Sequence, residues 1–361
     1  MTRPRTMMAI RTWAPQDYRL EEVPVPMVEP GEVLIEVEAV GICASDVKCW
    51  HGGGHFWPSD HGPGYVEAPA IAGHEFSGHV VALGEGAAER HGVALGDRVV
   101  AEQIVPCEVC RFCRDGHYWM CQRSWIFGFK QVLDGGMARY CRLPRESRIH
   151  QVPASLSMGA AAYIEPLACA WHAVDRGEVQ PNDTVVVCGV GNIGLCMVQI
   201  AKRQLAGTGR VVALGTRQNR LDLAREMGAD VCIDVTQTDS VADVLALTDG
   251  YGCDVYLETS GNPDGVTQGL GMIRKLGTFV EFSVFSRPTT VNWTVIGDSK
   301  ELTIHGSHLG PDCYPKSIAA LADGTINVSR LVNNVYPLDR FDEAIREAAT
   351  GSVMKNLVRP I

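Results

Sequence analysis

The run Thr184–Cys188 (TVVVC) leads straight into Gly189-Val190-Gly191-Asn192-Ile193-Gly194, and an amphipathic stretch follows over 193–204. A short unbroken apolar run bounded by glycines reads as a buried strand, and the 3.6-residue period after it as a helix. Glycines at the junction permit a tight turn and a close approach of backbone to ligand. The N-terminus of the helix they open attracts a pyrophosphate. A bare G-x-G-x-x-G is common, but placed between strand and helix it is the fingerprint of a dinucleotide site. The same alternation continues, with strand-like runs at 210–214, 231–234, 255–258 and 278–282 and a helix-like stretch at 219–227. That rhythm predicts an α/β fold with a doubly wound parallel sheet.

Such sites usually carry an acid about 20 residues further on, at the end of the second strand, to bind the adenosine ribose. Here that strand reads RVVALGTRQNR, and Gly215 occupies the acid's place, followed by Thr216, Arg217 and, a turn later, Arg220. Loss of the carboxylate opens space, and an arginine pairs with a ribose 2′-phosphate. The residues favour NADP over NAD, unless both arginines are merely solvated charges. Asp222 lies too far into the next helix to replace the missing acid.

The first 150 or so residues have another character. Apolar and acidic residues mix over 33–37, and strand-like runs at 76–83 and 97–104 are separated by glycine turns. Small apolar residues over 155–173 predict one or two tightly packed helices. After about residue 301 the rhythm lapses into a strand-like 304–309, a helix near 314–323 and a final segment ending at Val358. With 32 basic against 42 acidic residues the net charge is −10, and no Lys/Arg block occurs. This argues against nucleic acid and anionic membrane as partners. No run approaches the ~18 apolar residues of a membrane span, and the charged first residues do not read as a signal peptide. A cytoplasmic location is expected.

Thirteen cysteines in a chain of this length suggest metal binding rather than a disulfide scaffold. Four of them, Cys107, Cys110, Cys113 and Cys121, form a C-x2-C-x2-C-x7-C cluster. Four thiolates fill a tetrahedral zinc sphere, leaving a closed, structural site. An iron–sulfur centre uses similar spacing, but nothing else in the chain points to electron transfer. A sparser set combines Cys43 in GICASD, His74 and Glu75 in GHE, and Glu165 in IEPL. A thiolate, an imidazole and carboxylates, short of four strong ligands, suit an open, catalytic zinc site.

The set GICASD, GHEFSGHV, GDRVV, the four-cysteine loop, GGMARY, IEPLACA and GVGNIG resembles the zinc-dependent medium-chain alcohol dehydrogenases over essentially the whole chain. IEPL and GHE are similar to the polyol dehydrogenase group. CASDVKCWHGGGHFW, AEQIVPCEVCRFC, GFK at 128–130 and GSHLGPDCYP resemble its branch acting on four-carbon tetritols. The resemblance implies a GroES-like, partly open β-barrel catalytic domain over 1–160 and a Rossmann NAD(P)-binding domain over 161–301. A C-terminal return to the catalytic domain would then occupy 302–361. It implies a catalytic zinc held by Cys43, His74 and Glu75, with Glu165 close by. A small-molecule polyol would be the substrate, its hydroxyl acidified by the metal before a hydride leaves for the nicotinamide. Ser45 would take the proton and Asp46 would orient His74. A homo-oligomer, tetramer or dimer, is expected by the same resemblance.

Two residues depart from the family pattern. Many relatives end the proton relay in a histidine near position 48, where this chain has Lys48, with His51 as a possible substitute; the tetritol branch generally carries the acid that Gly215 replaces. The insertion Trp50–Tyr65, with His51, His55, Phe56, Trp57 and His61, is expected either to wall the pocket or to form an exposed flap. Trp125 and Lys130 are candidate polyol contacts. Zinc-free quinone reductases of the superfamily lack the structural cysteines and the Cys43/His74 pair, and a non-catalytic redox sensor would have lost ligands this chain keeps.

Overall fold

The computed structural model describes residues 3–60, 62–285 and 287–360; His61 lies outside them. Two compact units divide the chain. One holds everything up to Glu165 together with everything from Tyr314 onward, and the other is Pro166–Cys313.

In the second unit six strands form one sheet in the order Val231–Asp234, Arg210–Gly215, Thr184–Cys188, Cys253–Glu258, Ile273–Glu281, Thr303–Gly306. Every neighbouring pair is parallel. Numbered along the chain, that is the 3-2-1-4-5-6 order of a Rossmann fold. Val185, Val186 and Val187 are fully buried, as are Val211 and Val212. Central strands covered on both faces need such continuous β-branched runs. Helices Asn192–Gln204, Gln218–Glu226, Ser240–Leu247 and Pro263–Met272 make the crossovers. Asp239 and Asn262 cap the last two, each accepting from backbone N–H groups of the first turn.

The sequence-based boundary at 302 needs correcting. Thr303–Gly306 pairs parallel to Ile273–Glu281, so the chain stays with the Rossmann sheet and leaves that unit only after Cys313. At the other end the change comes at Glu165 and Pro166, inside helix Ile164–Arg176. An amphipathic helix gives no sign along its own length of where its contacts change.

The first unit is built on a seven-stranded sheet around Val33–Gly41, which pairs antiparallel with Glu75–Leu83, Tyr140–Leu143 and Lys355–Arg359. A three-stranded sheet (Asp17–Pro24, Thr6–Ala14, Ala70–Ile71) accompanies it. This is the GroES-like β architecture. The C-terminal segment belongs here because Lys355–Arg359 lies beside Val33–Gly41, with Leu357 opposite Gly41. Helix Phe341–Thr350 packs Phe341, Ala344 and Ile345, spaced i, i+3, i+4, into the same core and ends at Gly351 in a left-handed conformation. Where one strand was expected over 97–104, two occur, Arg98–Ala101 and Ile104–Val105. The ladder breaks at Glu102 and Gln103, whose buried side chains make tertiary hydrogen bonds instead.

Candidate functional site

Cys43 ends the turn after Val33–Gly41 and is the N-cap of the short helix Ala44–Trp50; its backbone N–H is accepted by Asp46 Oδ2 at 2.8 Å. Gly41 and Glu75 are opposite in the ladder, so the start of Glu75–Leu83 brings His74 and Glu75 to Cys43. Ligand atoms of Cys43, His74 and Glu75 all lie within 4.8 Å of one another. His74 and Glu75 are buried, 5% and 1% exposed.

The donor set fits a dication. Burial opposes a charge on His74, yet Asp46, Cys43 and Glu165 around it carry its pKa up to about 10. That is the signature of a pocket with surplus negative charge, which a metal neutralises as well as a proton does. Asp46, wholly buried, is pushed up by desolvation against the pull of His74. Its Oδ1 lies 3.7 Å from His74 Nδ1, too far for a hydrogen bond, and Nδ1 is a buried atom with no hydrogen-bond partner among the described residues. Ser45 Oγ stands 3.4 Å from His74 Nε2.

The two carboxylates differ. Glu75 is ion-paired with Lys355, whose Nζ lies 2.6 Å from Oε1 and also contacts Oε2, and whose side chain is 2% exposed. Glu165, at the start of its helix, is buried and accepts from the Gln103 side-chain amide. It is outside the cluster of three ligand atoms, although its charge acts on both His74 and Lys355. Sequence reasoning missed Lys355 and Gln103. A lysine at an inward position of the apolar strand KNLVR was a readable sign of a buried acid across from it.

Phe129 lies tilted against the His74 ring at 5.3 Å and stacks on Phe56 at 5.6 Å. Phe56, Phe129 and Cys49 form a small core joined by Trp57 and Tyr65. Within 50–65, Phe56, Trp57 and Tyr65 pack with Phe129 beside His74, while His51, His55 and residues 58–60 are exposed. Lys130 pairs with Glu67 at 3.0 Å and covers the Tyr65 ring, and Trp125 lies under Arg123. Lys48, half-buried, is on the helix that Cys43 caps.

The four-cysteine loop is a second donor cluster. Cys107, Cys110, Cys113 and Cys121 also meet within 4.8 Å, with Sγ–Sγ separations of 3.5 Å (Cys110–Cys113) and 3.9 Å (Cys107–Cys113). Zinc–sulfur bonds of 2.3 Å in a tetrahedron need an edge of about 3.8 Å. Backbone N–H groups of Gln122 and Cys113 bring Cys110 down to about 6, while burial and the neighbouring sulfurs push Cys113 up to about 12. Thiols that compete for one negative charge are relieved together by a cation.

In the second unit a pocket of about 290 Å³ is lined by Gly189, Gly191, Gly215, Thr216, Arg217 and Arg220, with Thr259, Ser260 and Asn262. Among the described residues no Asp or Glu lines it. Gly189 has φ +102, and a side chain on Gly194 would strike the Gly189 carbonyl, so the turn and the helix approach both need glycine. Asn192, Ile193 and Gly194 form the first helical turn without lining the pocket. A Cβ on Gly215 would collide with Val190 and sit 3.1 Å from Leu221, which leaves no room for the ribose-binding acid. Burial and the like charge of Arg217 hold Arg220 below the usual arginine range, and an anion bound between them would relieve that strain. Thr259, Ser260 and Asn262 were not expected; they are set by Glu258, which accepts from Ser260 N (2.9 Å), Ser260 Oγ (2.5 Å) and Gly261 N.

The chain is similar to known proteins along nearly its whole length. Residues 29–154 match the alcohol dehydrogenase GroES-like domain and residues 192–323 the zinc-binding dehydrogenase domain. The chain is 46% identical over 348 residues, 96% of each protein, to erythritol/L-threitol dehydrogenase of Mycolicibacterium smegmatis. An NADP-bound protein from Sinorhizobium meliloti 1021 superimposes with TM-score 0.87 at 29% identity, covering 98% of this chain and 99% of the other. A protein from E. coli CFT073 complexed with NADH gives TM-score 0.86 at 27% identity, covering 99% and 100%.

Proposed function

The chain belongs to the zinc-binding alcohol dehydrogenase family, as one of its polyol dehydrogenases, and on that premise we propose that it oxidises a secondary hydroxyl of a four-carbon tetritol to the ketose, with NADP as hydride acceptor. What carries this reading is the convergence of Cys43, His74 and Glu75 in a chain similar along its whole length to a tetritol dehydrogenase.

Cys43, His74 and Glu75, with Glu165 beside them, are the residues to hold the catalytic zinc; Cys107, Cys110, Cys113 and Cys121 are those to hold a structural one. When bound, zinc supplies Lewis-acid polarisation of the substrate oxygen and the nicotinamide supplies the hydride acceptor. Ser45 Oγ accepts the proton of the substrate hydroxyl as it gives its own to solvent, which the partly exposed side chain reaches. Asp46 steadies the His74 ring from its Nδ1 side. Phe129, backed by Phe56, keeps water from the other face of that ring. Gly189, Gly191 and the helix opened by Asn192 and Ile193 receive the pyrophosphate. Thr216, Arg217 and Arg220 receive the ribose 2′-phosphate, in space that Gly215 keeps clear of a repelling acid.

The reading extends to a cytoplasmic homo-oligomer, dimer or tetramer, with the edge strand Thr303–Gly306 available for pairing. Among the described residues no helix is long and apolar enough to cross a membrane. The test is initial rates of nicotinamide reduction with erythritol, both threitols, xylitol and sorbitol, each with NAD and NADP. Fastest turnover is expected with a tetritol and NADP. A zinc-loaded protein inactive on every polyol overturns the substrate class, and one that uses NAD alone overturns the cofactor assignment.

A further inference from the structure

Gln103 sits where a strand breaks, 2% exposed, and both ends of its amide are used. Nε2 donates to Glu165 Oε1. Oε1 accepts from Tyr314 Oη at 2.8 Å, and the same hydroxyl accepts from the Gln103 backbone N–H at 3.3 Å. These two contacts with one hydroxyl set the sense of the amide. The tyrosine accepts the backbone proton and spends its own on Oε1, which turns Nε2 towards the carboxylate. Tyr314 is fully buried and stacks on His150 at 5.3 Å. His150 Nε2 in turn lies 3.1 Å from Glu102 Oε1. Glu102 also receives the Tyr118 hydroxyl at 2.8 Å, and Tyr118 belongs to the four-cysteine loop between Cys113 and Cys121.

The chemistry of this bond separates Glu165 from its neighbour. Lys355 neutralises Glu75 with a full charge. Glu165 feels Lys355 and His74 through space, and it accepts a hydrogen bond from Gln103, a neutral donor that gives the carboxylate direction without cancelling its charge. A buried carboxylate on a helix has several rotamers, and a donor held at both ends favours the one that meets it. We propose that Gln103 is a positioning residue that aims the Glu165 carboxylate at the metal and substrate, and that Tyr314 holds Gln103 in register. This rests on the polyol dehydrogenase reading for its kinetic consequence but not for its spectroscopic one.

The experiment compares wild type, Gln103→Leu and Tyr314→Phe as full-length zinc proteins and after replacement of zinc by Co(II). Gln103→Leu is expected to lower kcat about 10–100-fold, with KM for the nicotinamide cofactor unchanged. The visible absorption of its Co(II) form is expected to differ from wild type. Tyr314→Phe, which removes one oxygen atom, is expected to lower kcat about two- to tenfold with a smaller change of the same spectrum. A folded Gln103→Leu protein whose Co(II) spectrum is that of wild type overturns the proposal, whatever its rate. If Gln103→Leu does not fold, Tyr314→Phe decides alone: wild-type kcat and spectrum overturn it. Should the wild-type enzyme oxidise no polyol, the function assignment fails, and the Co(II) spectra still report on Gln103.

Discussion

Replacing Arg217 by alanine removes one of two arginines that line a pocket with no acid among the described residues around it. A hydrogen bond to a charged group contributes about 1.5–3 kcal/mol, which is about 10–150-fold in an equilibrium constant. Arg217 is exposed, where solvent screens its charge, and its loss also relieves the like-charge repulsion felt by Arg220. Both considerations place the single variant near the low end, about tenfold in kcat/KM for NADP. The double variant Arg217→Ala/Arg220→Ala, which also deletes the half-buried partner, belongs nearer the upper end. NAD carries no 2′-phosphate, so its kcat/KM stays within about twofold of wild type. The assay is initial rates with a saturating alcohol and varied NAD or NADP, at two ionic strengths. The wild-type ratio of kcat/KM for NADP over NAD is expected to exceed one and to shrink with salt, and that of the double variant to be flat. Equal losses with both cofactors, or none with NADP, refute the reasoning, because no anion would then be held by this pair.

Other substitutions probe the same account. Lys355→Met leaves the Glu75 charge buried without this partner and is expected to cost about 3–5 kcal/mol, read as a lower midpoint of denaturant unfolding of the protein with no metal at Cys43, His74 and Glu75. Cys110→Ser is expected to reduce the zinc content by one ion per chain, measured by metal analysis, and to lower the thermal midpoint, with the separate cluster of Cys43, His74 and Glu75 left intact. Glu281 faces Glu258 across adjacent parallel strands, and burial first, then that neighbouring charge, raises it from 4.5 to about 7. A raised carboxyl favours the folded state while protonated, so its contribution is complete below pH 4.5 and is lost as pH rises through about 7. Glu281→Gln is therefore expected to match wild type in thermal midpoint at low pH and to exceed it increasingly up to about pH 7; parallel profiles would contradict this.

The Rossmann half was legible because its signals are local. The run Thr184–Cys188 was read to the residue, and each later strand of the alternation lies where its apolar stretch does. Gly215 and its arginines could be read for the same reason, being a fixed distance along one chain segment. The catalytic half was legible mainly through its resemblance to a family, since its contacts span the chain. Lys355 meets Glu75 across 280 residues and Tyr314 meets Gln103 across 211, and no periodicity relates such positions. Strand 97–104 was read as continuous because Glu102 and Gln103 look like ordinary outward-facing polar residues until their partners are in place. Helix Phe341–Thr350 was missed although its i, i+3, i+4 stripe and terminal glycine were both in view.

The central claim is that a hydride leaves a secondary carbon of a tetritol at a site organised by Cys43, His74 and Glu75. Erythritol deuterated at C2 and C3 tests it most directly, with the reduced nicotinamide analysed by mass spectrometry. The account predicts one deuterium in each reduced nicotinamide formed and none formed by Cys43→Ser, which keeps the four-cysteine loop. Reduced nicotinamide without deuterium, or undiminished transfer in Cys43→Ser, would contradict it.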